Sequence, residues 1–111
     1  MRPASAWLVT LALAPVVATA QDVVPGVYSG QYFYNFENAN FTLDGTKECW
    51  VVNGGIKEAE IAAPKGSAPW GTAHVVVRVV LSPAGHYGNL GGCTHVLKVI
   101  EIIEITDKKA R

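Results

Sequence analysis

Residues 72–106, TAHVVVRVVLSPAGHYGNLGGCTHVLKVIEIIEIT, contain two segments dense in β-branched residues, separated by a glycine-rich loop. β-branched side chains favour extended backbone, so each segment predicts a β-strand. Residues 72–82 are apolar on nearly both faces, which is typical of a strand buried on both sides. Residues 94–106 break strict alternation at their charged positions, and a β-bulge near residues 100–102 restores it. The whole stretch therefore predicts an all-β fold.

The segment 27–37, VYSGQYFYNFE, alternates between aromatic and polar side chains. Period-two alternation predicts a strand with one face toward a core and the other toward water. The same aromatic face also fits a ligand-binding surface, because tyrosine rings can stack while their hydroxyl groups hydrogen-bond. This face comprises Tyr28, Tyr32, Tyr34 and Phe36.

Residues 41–52, FTLDGTKECWVV, predict a β-hairpin, with Asp44-Gly45 as a two-residue turn. Residues 56–62, IKEAEIA, fit either one or two helical turns or a short edge strand. Four or five bent antiparallel strands in one small domain predict a closed or nearly closed barrel. Closure removes the exposed sheet edges that an apolar β protein must protect.

The first 20 residues, MRPASAWLVTLALAPVVATA, have the pattern of a secretory signal peptide. Arg2 precedes an apolar stretch of about a dozen residues, shorter than the roughly 20 needed to span a bilayer. Ala18-Thr19-Ala20 is a small-x-small cleavage site. We predict a cleaved signal over residues 1–20 and one soluble domain over residues 21–111, periplasmic or secreted, with no membrane insertion after cleavage. The alternative is a buried N-terminal helix.

Composition limits the classes of partner. The sequence has nine basic and nine acidic residues, and removing Arg2 leaves eight against nine, a formal charge of −1. A nucleic-acid-binding protein needs a basic footprint, so the sequence predicts no nucleic-acid partner. Half of the residues are hydrophobic, which is enough for the core of one small domain.

The sequence holds two cysteines, Cys49 and Cys93. Export would place them in an oxidising compartment, where a disulfide forms and persists. We predict the Cys49–Cys93 bridge, with two separate buried thiols as the alternative. A metal site on these cysteines is disfavoured because they lack the short paired spacing of zinc sites.

Motifs of catalysis and cofactor binding are missing from the sequence: it contains no GxSxG, HExxH, CxxC or phosphate-binding glycine loop. We therefore predict a protein that is not an enzyme and has no cofactor. The three histidines are the remaining candidates for metal ligands. Without a nearby third ligand, histidines usually make ordinary hydrogen bonds, so we predict no metal site. These residues are His74, His86 and His95.

Three segments together carry a family resemblance: GVYSGQYFYNFENANF, then ECWVVNG, then VVLSPAGHYGNLGGCTHVLKVIEI. Their order resembles that of small exported OB-like β-barrel proteins of the bacterial envelope, in which an LSPxGxYGxLG turn joins two long strands. The resemblance implies a small antiparallel OB-like barrel with at most one short helix, and it implies no catalytic residues. A standard OB fold has its helix between the third and fourth strands, whereas residues 56–62 follow the second strong strand of this sequence.

The loop at residues 82–92, SPAGHYGNLGG, predicts a compact connection between two strands. Pro83 cannot donate to a ladder, and glycines at 85, 88, 91 and 92 allow positive φ. Tyr87 and Leu90 are expected to fold back and close one end of the barrel.

Two functions follow from these patterns. The first is an exported, non-catalytic binding module that contacts a protein, peptide or glycan of the cell envelope. The second is a small secreted inhibitor that presents the loop at residues 83–92 to an envelope enzyme. The candidate binding residues come from the aromatic strand face and from the two loops after it: Tyr28, Tyr32, Tyr34, Trp70, His86 and Tyr87.

Overall fold

The computed structural model describes residues 24–111, and the predicted signal peptide at residues 1–20 lies outside them. The described chain forms one sheet of five strands: β1 Val24–Tyr34, β2 Ala39–Leu43, β3 Cys49–Val52, β4 Gly71–Leu81 and β5 His95–Ala110. The only helical elements in this part are two 3₁₀ turns, Lys57–Ala59 and Asn89–Gly91. Within residues 24–111, no helix has the length and apolar character to cross a membrane. The predicted all-β class is confirmed.

Each strand pairs with two others, so the sheet closes on itself in the order β1-β2-β3-β5-β4. Four of the five pairings are antiparallel, and the β3–β5 pairing is parallel. The prediction of an entirely antiparallel sheet is therefore wrong at this one position. The reason is geometric, because an odd number of strands cannot alternate in direction all the way around a closed ring.

The first strand begins and ends three residues earlier than predicted. The side chain of Asn35 ends it, because its Oδ1 accepts hydrogen bonds from the backbone N–H of Glu37 at 2.9 Å and of Asn38 at 2.7 Å. An asparagine that takes up backbone donors in this way forms a tight turn. Phe36 therefore lies in the turn and is 74% exposed, so its predicted place on the core face is wrong.

The predicted hairpin is confirmed as β2 and β3, but its connection spans residues 44–48 and is longer than two residues. Gly45 has a φ of 78° there, as predicted. Thr46 extends the turn, since its hydroxyl donates to Leu43 O at 2.8 Å and accepts from Glu48 N at 3.0 Å. The segment 56–62 contains the 3₁₀ turn, so the edge-strand alternative is wrong, and it follows the third strand.

The core lies inside the closed sheet. Along β4 buried residues alternate with half-buried or exposed ones, so the prediction of a strand buried on both faces is wrong. Arg78 lies on the outer face of β4 and is exposed. The core comprises Tyr32, Tyr34, Phe41, Trp50, Val52, Ile56, Ala59, Ala73, Val75, Val77, Val79, Leu81 and Leu97.

The predicted irregularity in β5 is confirmed. Successive β4 residues Arg78 and Val79 pair with Glu101 and Val99, which leaves Ile100 as a bulge. A second bulge leaves out Ile103. Each bulge resets which residues face inward, so β5 keeps its pairing with β4 despite its charged residues.

Candidate functional site

Two loops meet beside β2 and β3. These are the β1–β2 turn, residues 35–38, and the β4–β5 loop, residues 82–94. Asn89 links them, because its Nδ2 donates to Asn38 Oδ1 at 3.0 Å. Between the loops and the two strands lies a cleft of about 420 Å³, here called the loop cleft. Its polar lining consists of Asn35, Glu37, Asn38, Asn40, Glu60 and Asn89.

A glycine lets the β4–β5 loop approach the sheet. Gly88 has a φ of 78°, which side-chain-bearing residues rarely adopt. A Cβ atom at this position would lie 3.1 Å from Val51 Cγ2 on β3. The sequence prediction that glycines shape this loop is correct at Gly88 and Gly91, which have positive φ, whereas Gly85 and Gly92 do not.

The predicted disulfide is confirmed and holds the same loop. Cys49 at the start of β3 is bonded to Cys93, with a Cα–Cα distance of 4.8 Å. The backbones of Tyr87 and Cys93 exchange two hydrogen bonds of 2.9 and 3.0 Å. Thr94 N then donates to Cys49 O at 3.0 Å. The loop is thus tied covalently and by hydrogen bonds to the strand that forms one side of the loop cleft.

Glu60 reaches the cleft wall from the segment between β3 and β4. The buried Tyr32 hydroxyl donates to Glu60 Oε2 at 2.6 Å and accepts from Ile56 N at 3.0 Å. Burial, followed by the bond to the Glu60 carboxylate, raises the pKa of Tyr32 above its ordinary value. The phenol therefore stays protonated and keeps the carboxylate in position.

Tyr32 and Tyr34, both predicted as candidate binding residues, lie in the core. Their rings stack with centroids 5.5 Å apart and are almost completely buried. The Tyr34 hydroxyl accepts from Ile61 N at 2.9 Å. Rings and hydroxyl groups are thus engaged in internal contacts, so a ligand has no access to either side chain in this fold.

The other predicted binding residues also lie away from the lining of the loop cleft. Tyr28 packs edge-on against Trp50, with centroids 4.9 Å apart. Tyr87 is half-buried and donates to Pro83 O at 2.9 Å, whereas His86 is exposed in the loop. Trp70 is 47% exposed and lines a separate hollow beside Phe36.

The expectation that Leu90 folds back to close the barrel is wrong. Its side chain is fully exposed and its backbone has a φ of 62°. The 3₁₀ turn at Asn89–Gly91 and the bond from Asn89 to the β1–β2 turn direct this part of the loop outward. The Tyr87 side chain is half-buried and its hydroxyl donates to Pro83 O within the same loop.

Sequence reasoning missed the asparagines of the cleft. Asn38, Asn40 and Asn89 were not candidates because asparagine is common in turns and carries no chemistry of its own. The signal that marks them is density, since the stretch NFENAN places Asn35, Asn38 and Asn40 within six residues of one another. Their convergence with Asn89 depends on the tertiary fold.

The ionisable side chains that line the loop cleft are all acidic. Within the described chain its lining contains two carboxylates, Glu37 and Glu60, and no Lys, Arg or His. Asparagine amides both donate and accept hydrogen bonds, and carboxylates accept them. The cleft is therefore suited to a ligand rich in hydroxyl or amide groups and unsuited to an anion.

A Ser–Asp–His cluster lies on the outer face of the sheet, and its geometry is not that of a catalytic triad. Ser29 Oγ donates directly to Asp44 Oδ2 at 2.6 Å, and His74 Nε2 is 3.2 Å from that hydroxyl and 2.8 Å from the carboxylate. A triad histidine bonds the serine and the aspartate through opposite ring nitrogens. Here one nitrogen contacts both, so the cluster links β1, β4 and the hairpin turn. The hydrogen bond from Ser29, followed by that of His74, lowers the pKa of Asp44.

Comparison with protein families, curated proteins and solved structures finds no match to this chain. The family resemblance of the sequence therefore stays a prediction. Inferences about function rest on the loop cleft and on the surfaces that adjoin it.

Proposed function

We propose that the protein is an exported, non-catalytic binding module of OB-like fold that holds a protein, peptide or glycan of the cell envelope in the loop cleft. The observation that carries this proposal is where the cleft lies. OB folds bind ligands on the face of strands 2 and 3, between the loop joining strands 1 and 2 and the loop joining strands 4 and 5. In this chain the loop cleft is lined by those two strands and those two loops.

The strand arrangement supports the OB-like part of the proposal. Five strands close in the order β1-β2-β3-β5-β4. The 3₁₀ turn Lys57–Ala59 lies between the third and fourth strands, where a standard OB fold has its helix. Counting the hairpin as two strands removes the mismatch in helix position that the sequence suggested.

Export is supported by two independent observations. The Cys49–Cys93 disulfide fits an oxidising compartment such as the periplasm or the extracellular space. The first 20 residues have the composition of a secretory signal.

A non-catalytic role is supported by the chemistry of the lining. Asparagine amides, which dominate it, neither take up nor release protons near neutral pH. The Glu60 carboxylate accepts the Tyr32 hydrogen bond and is held by it. Such groups are suited to recognising a ligand by hydrogen bonding.

A matched pair of charge substitutions tests the cleft. Asn40 lies on β2 in the cleft lining, whereas Gln31 is exposed on the adjacent β1, outside it. Asn40→Lys should therefore reduce capture of the envelope ligand about tenfold or more, while Gln31→Lys should leave capture unchanged. The measurement is quantitative mass spectrometry of material retained from envelope extract by each tagged variant, with circular dichroism to confirm folding. Equal retention by wild type and Asn40→Lys contradicts the proposal.

The second candidate function, an inhibitor acting through residues 83–92, is favoured by the exposed Leu90. An inhibitory loop needs an anchor side chain on a rigid support. Leu90 projects from a loop that the disulfide and the Tyr87–Cys93 backbone bonds hold in place. For an inhibitor, Leu90→Ser abolishes capture of the target enzyme and Asn40→Lys does not. The binding module gives the opposite pattern.

A further inference from the structure

Next to the loop cleft lies a small apolar hollow, here called the aromatic hollow. It has a volume of about 150 Å³ and is lined by Asn35, Phe36, Ala68, Pro69 and Trp70. Phe36 and Trp70 are among the most exposed large apolar side chains between residues 24 and 111. Large aromatic rings grouped on a surface mark interaction sites more often than isolated apolar residues do.

The Trp70 ring and the backbone turn that carries Phe36 are held by their surroundings. The Arg111 guanidinium lies over the Trp70 ring, with its Cζ 4.9 Å from the ring centroid, and Arg111 N donates to Trp70 O at 2.8 Å. Phe36 sits in the turn that the Asn35 side chain closes. A preorganised aromatic surface binds with a smaller loss of conformational entropy than a mobile one.

Asn35 connects the two sites, because it lines both the loop cleft and the aromatic hollow. A ligand that follows this surface passes from amide and carboxylate groups onto aromatic rings. Oligosaccharides are complementary to such a surface. The hydroxyl groups at the edges of their sugar rings hydrogen-bond to amides and carboxylates, and their C–H faces stack on aromatic rings.

A glycan fits this surface better than an extended peptide does. Peptides in extended conformation gain affinity by adding a strand to a free sheet edge. At the cleft, β2 pairs with β1 and β3, and β3 pairs with β2 and β5, so their edges are occupied. The charge of the cleft points to a neutral glycan, because Glu37 and Glu60 would repel an anionic one.

We propose that one neutral oligosaccharide spans both sites, with its hydroxyl groups in the loop cleft and a sugar ring on Phe36 and Trp70. This inference rests on the proposed function of the cleft. It adds the class of ligand and assigns the aromatic hollow as a second part of the site.

The test uses three neutral probes, maltotetraose, cellotetraose and chitotetraose, with tetragalacturonate as the anionic control. Binding is measured by calorimetry and by tryptophan fluorescence of the chain from residue 21 onward. At least one neutral probe should bind and change the emission of Trp70, since Trp50 is buried. Trp70→Ala and Phe36→Ala should each weaken binding about threefold to tenfold, the usual range for one aromatic contact. Ile103→Ala, which removes an exposed apolar side chain elsewhere, should leave affinity unchanged.

The outcomes separate the two proposals. One outcome is that a neutral probe binds and Asn40→Lys abolishes binding, but Trp70→Ala and Phe36→Ala do not weaken it. In that case the proposed role of the aromatic hollow is wrong and the proposed role of the loop cleft is supported. If a probe binds to Trp70 but is insensitive to Asn40→Lys, the role of the cleft is wrong. Failure of all three neutral probes, or equal binding of tetragalacturonate, overturns the neutral oligosaccharide.

Discussion

β4 and β5 are both rich in β-branched residues and pair with each other along most of β4, yet they are buried very differently. In β4 the inward residues Ala73, Val75, Val77 and Val79 are completely buried. In β5 Leu97 alone reaches that level among the described residues. The difference lies in the second neighbour, because β4 pairs with β1 over its whole length and β5 pairs with β3 at three positions only. β-branched composition thus specifies extended backbone, and the neighbouring strands decide burial.

The exposed part of β5 carries the features that keep a strand edge from pairing with other chains. Its bulges at Ile100 and Ile103 interrupt a regular ladder, and Lys98, Glu101 and Glu104 are exposed. Bulges and charges are common means of protecting edges. β4, with a partner on each side, carries a single charged residue, Arg78.

The largest expected loss of stability comes from removing the disulfide that links the residues before β5 to β3. Replacing both cysteines, Cys49→Ser with Cys93→Ser, removes the cross-link between residues 44 positions apart. On the chain-entropy model this costs about 4 kcal/mol, which lowers the Tm by several degrees for each kcal/mol. We expect amide hydrogen exchange to rise first at the β3–β5 pairing, whose ladder is short, while β4 stays protected. An unchanged Tm, or earlier exchange in β4, contradicts the view that the β3–β5 pairing is weaker than the pairings of β4.

A pair of truncations tests burial directly. Val77→Ala in β4 should destabilise the protein by about 2 kcal/mol, from lost transfer energy and a residual cavity. Ile103→Ala in β5 deletes more carbon atoms from a side chain that is 48% exposed, and should cost less than about 1 kcal/mol. Urea denaturation gives both free energies of unfolding. If Ile103→Ala lowers the free energy of unfolding as much as Val77→Ala does, the exposed part of β5 is buried in solution. The difference in burial between β4 and β5 is then wrong.

The smallest expected effect is a loss of stability at acid pH that involves Asp44, whose carboxylate contacts His74 on β4. Hydrogen bonds from Ser29 and then His74 lower the pKa of Asp44 below its ordinary value of 3.8 in the folded state. A lowered folded pKa stabilises the protein above the unfolded pKa, and this contribution is lost as pH falls through the folded pKa. We therefore expect wild type to lose more stability between neutral pH and pH below about 3.8 than Asp44→Asn does. Parallel melting curves of the two proteins across this interval would refute the role of Asp44.

A matching acid response is expected at the β3–β5 junction. Glu48 Oε2 accepts hydrogen bonds from Trp50 Nε1 at 2.8 Å and from Thr94 Oγ1 at 2.7 Å. These bonds, in that order, lower the pKa of Glu48 below its ordinary value of 4.5. Its stabilising effect is therefore also lost as pH falls below that value. The Glu48→Gln variant should show a weaker acid dependence than wild type, measured by the same melting curves.

The candidate site was only partly accessible to sequence reasoning. Trp70, a candidate binding residue from its place in a loop, is 47% exposed, and the predicted Cys49–Cys93 disulfide is present. The alternation of Tyr32 and Tyr34 predicts a core face and also fits a ligand-binding surface, and the structure places both residues in the core. The density of asparagines in residues 35–40 is visible in the sequence, but their convergence with Asn89 depends on which loops meet.

The structural elements that have local causes can be predicted from the order of the amino acids. Alternation and β-branching specify the strands, Asp44-Gly45 begins the hairpin turn, and charged residues in an apolar run require the bulges of β5. The parallel β3–β5 pair, the exposure of the outer face of β4 and the loop cleft follow only from the way the strands assemble. Closing five strands into a ring forces one parallel contact. It also brings Asn38 and Asn89, 51 positions apart in the chain, within hydrogen-bonding distance. Such contacts depend on ring closure, which no local pattern of residues encodes.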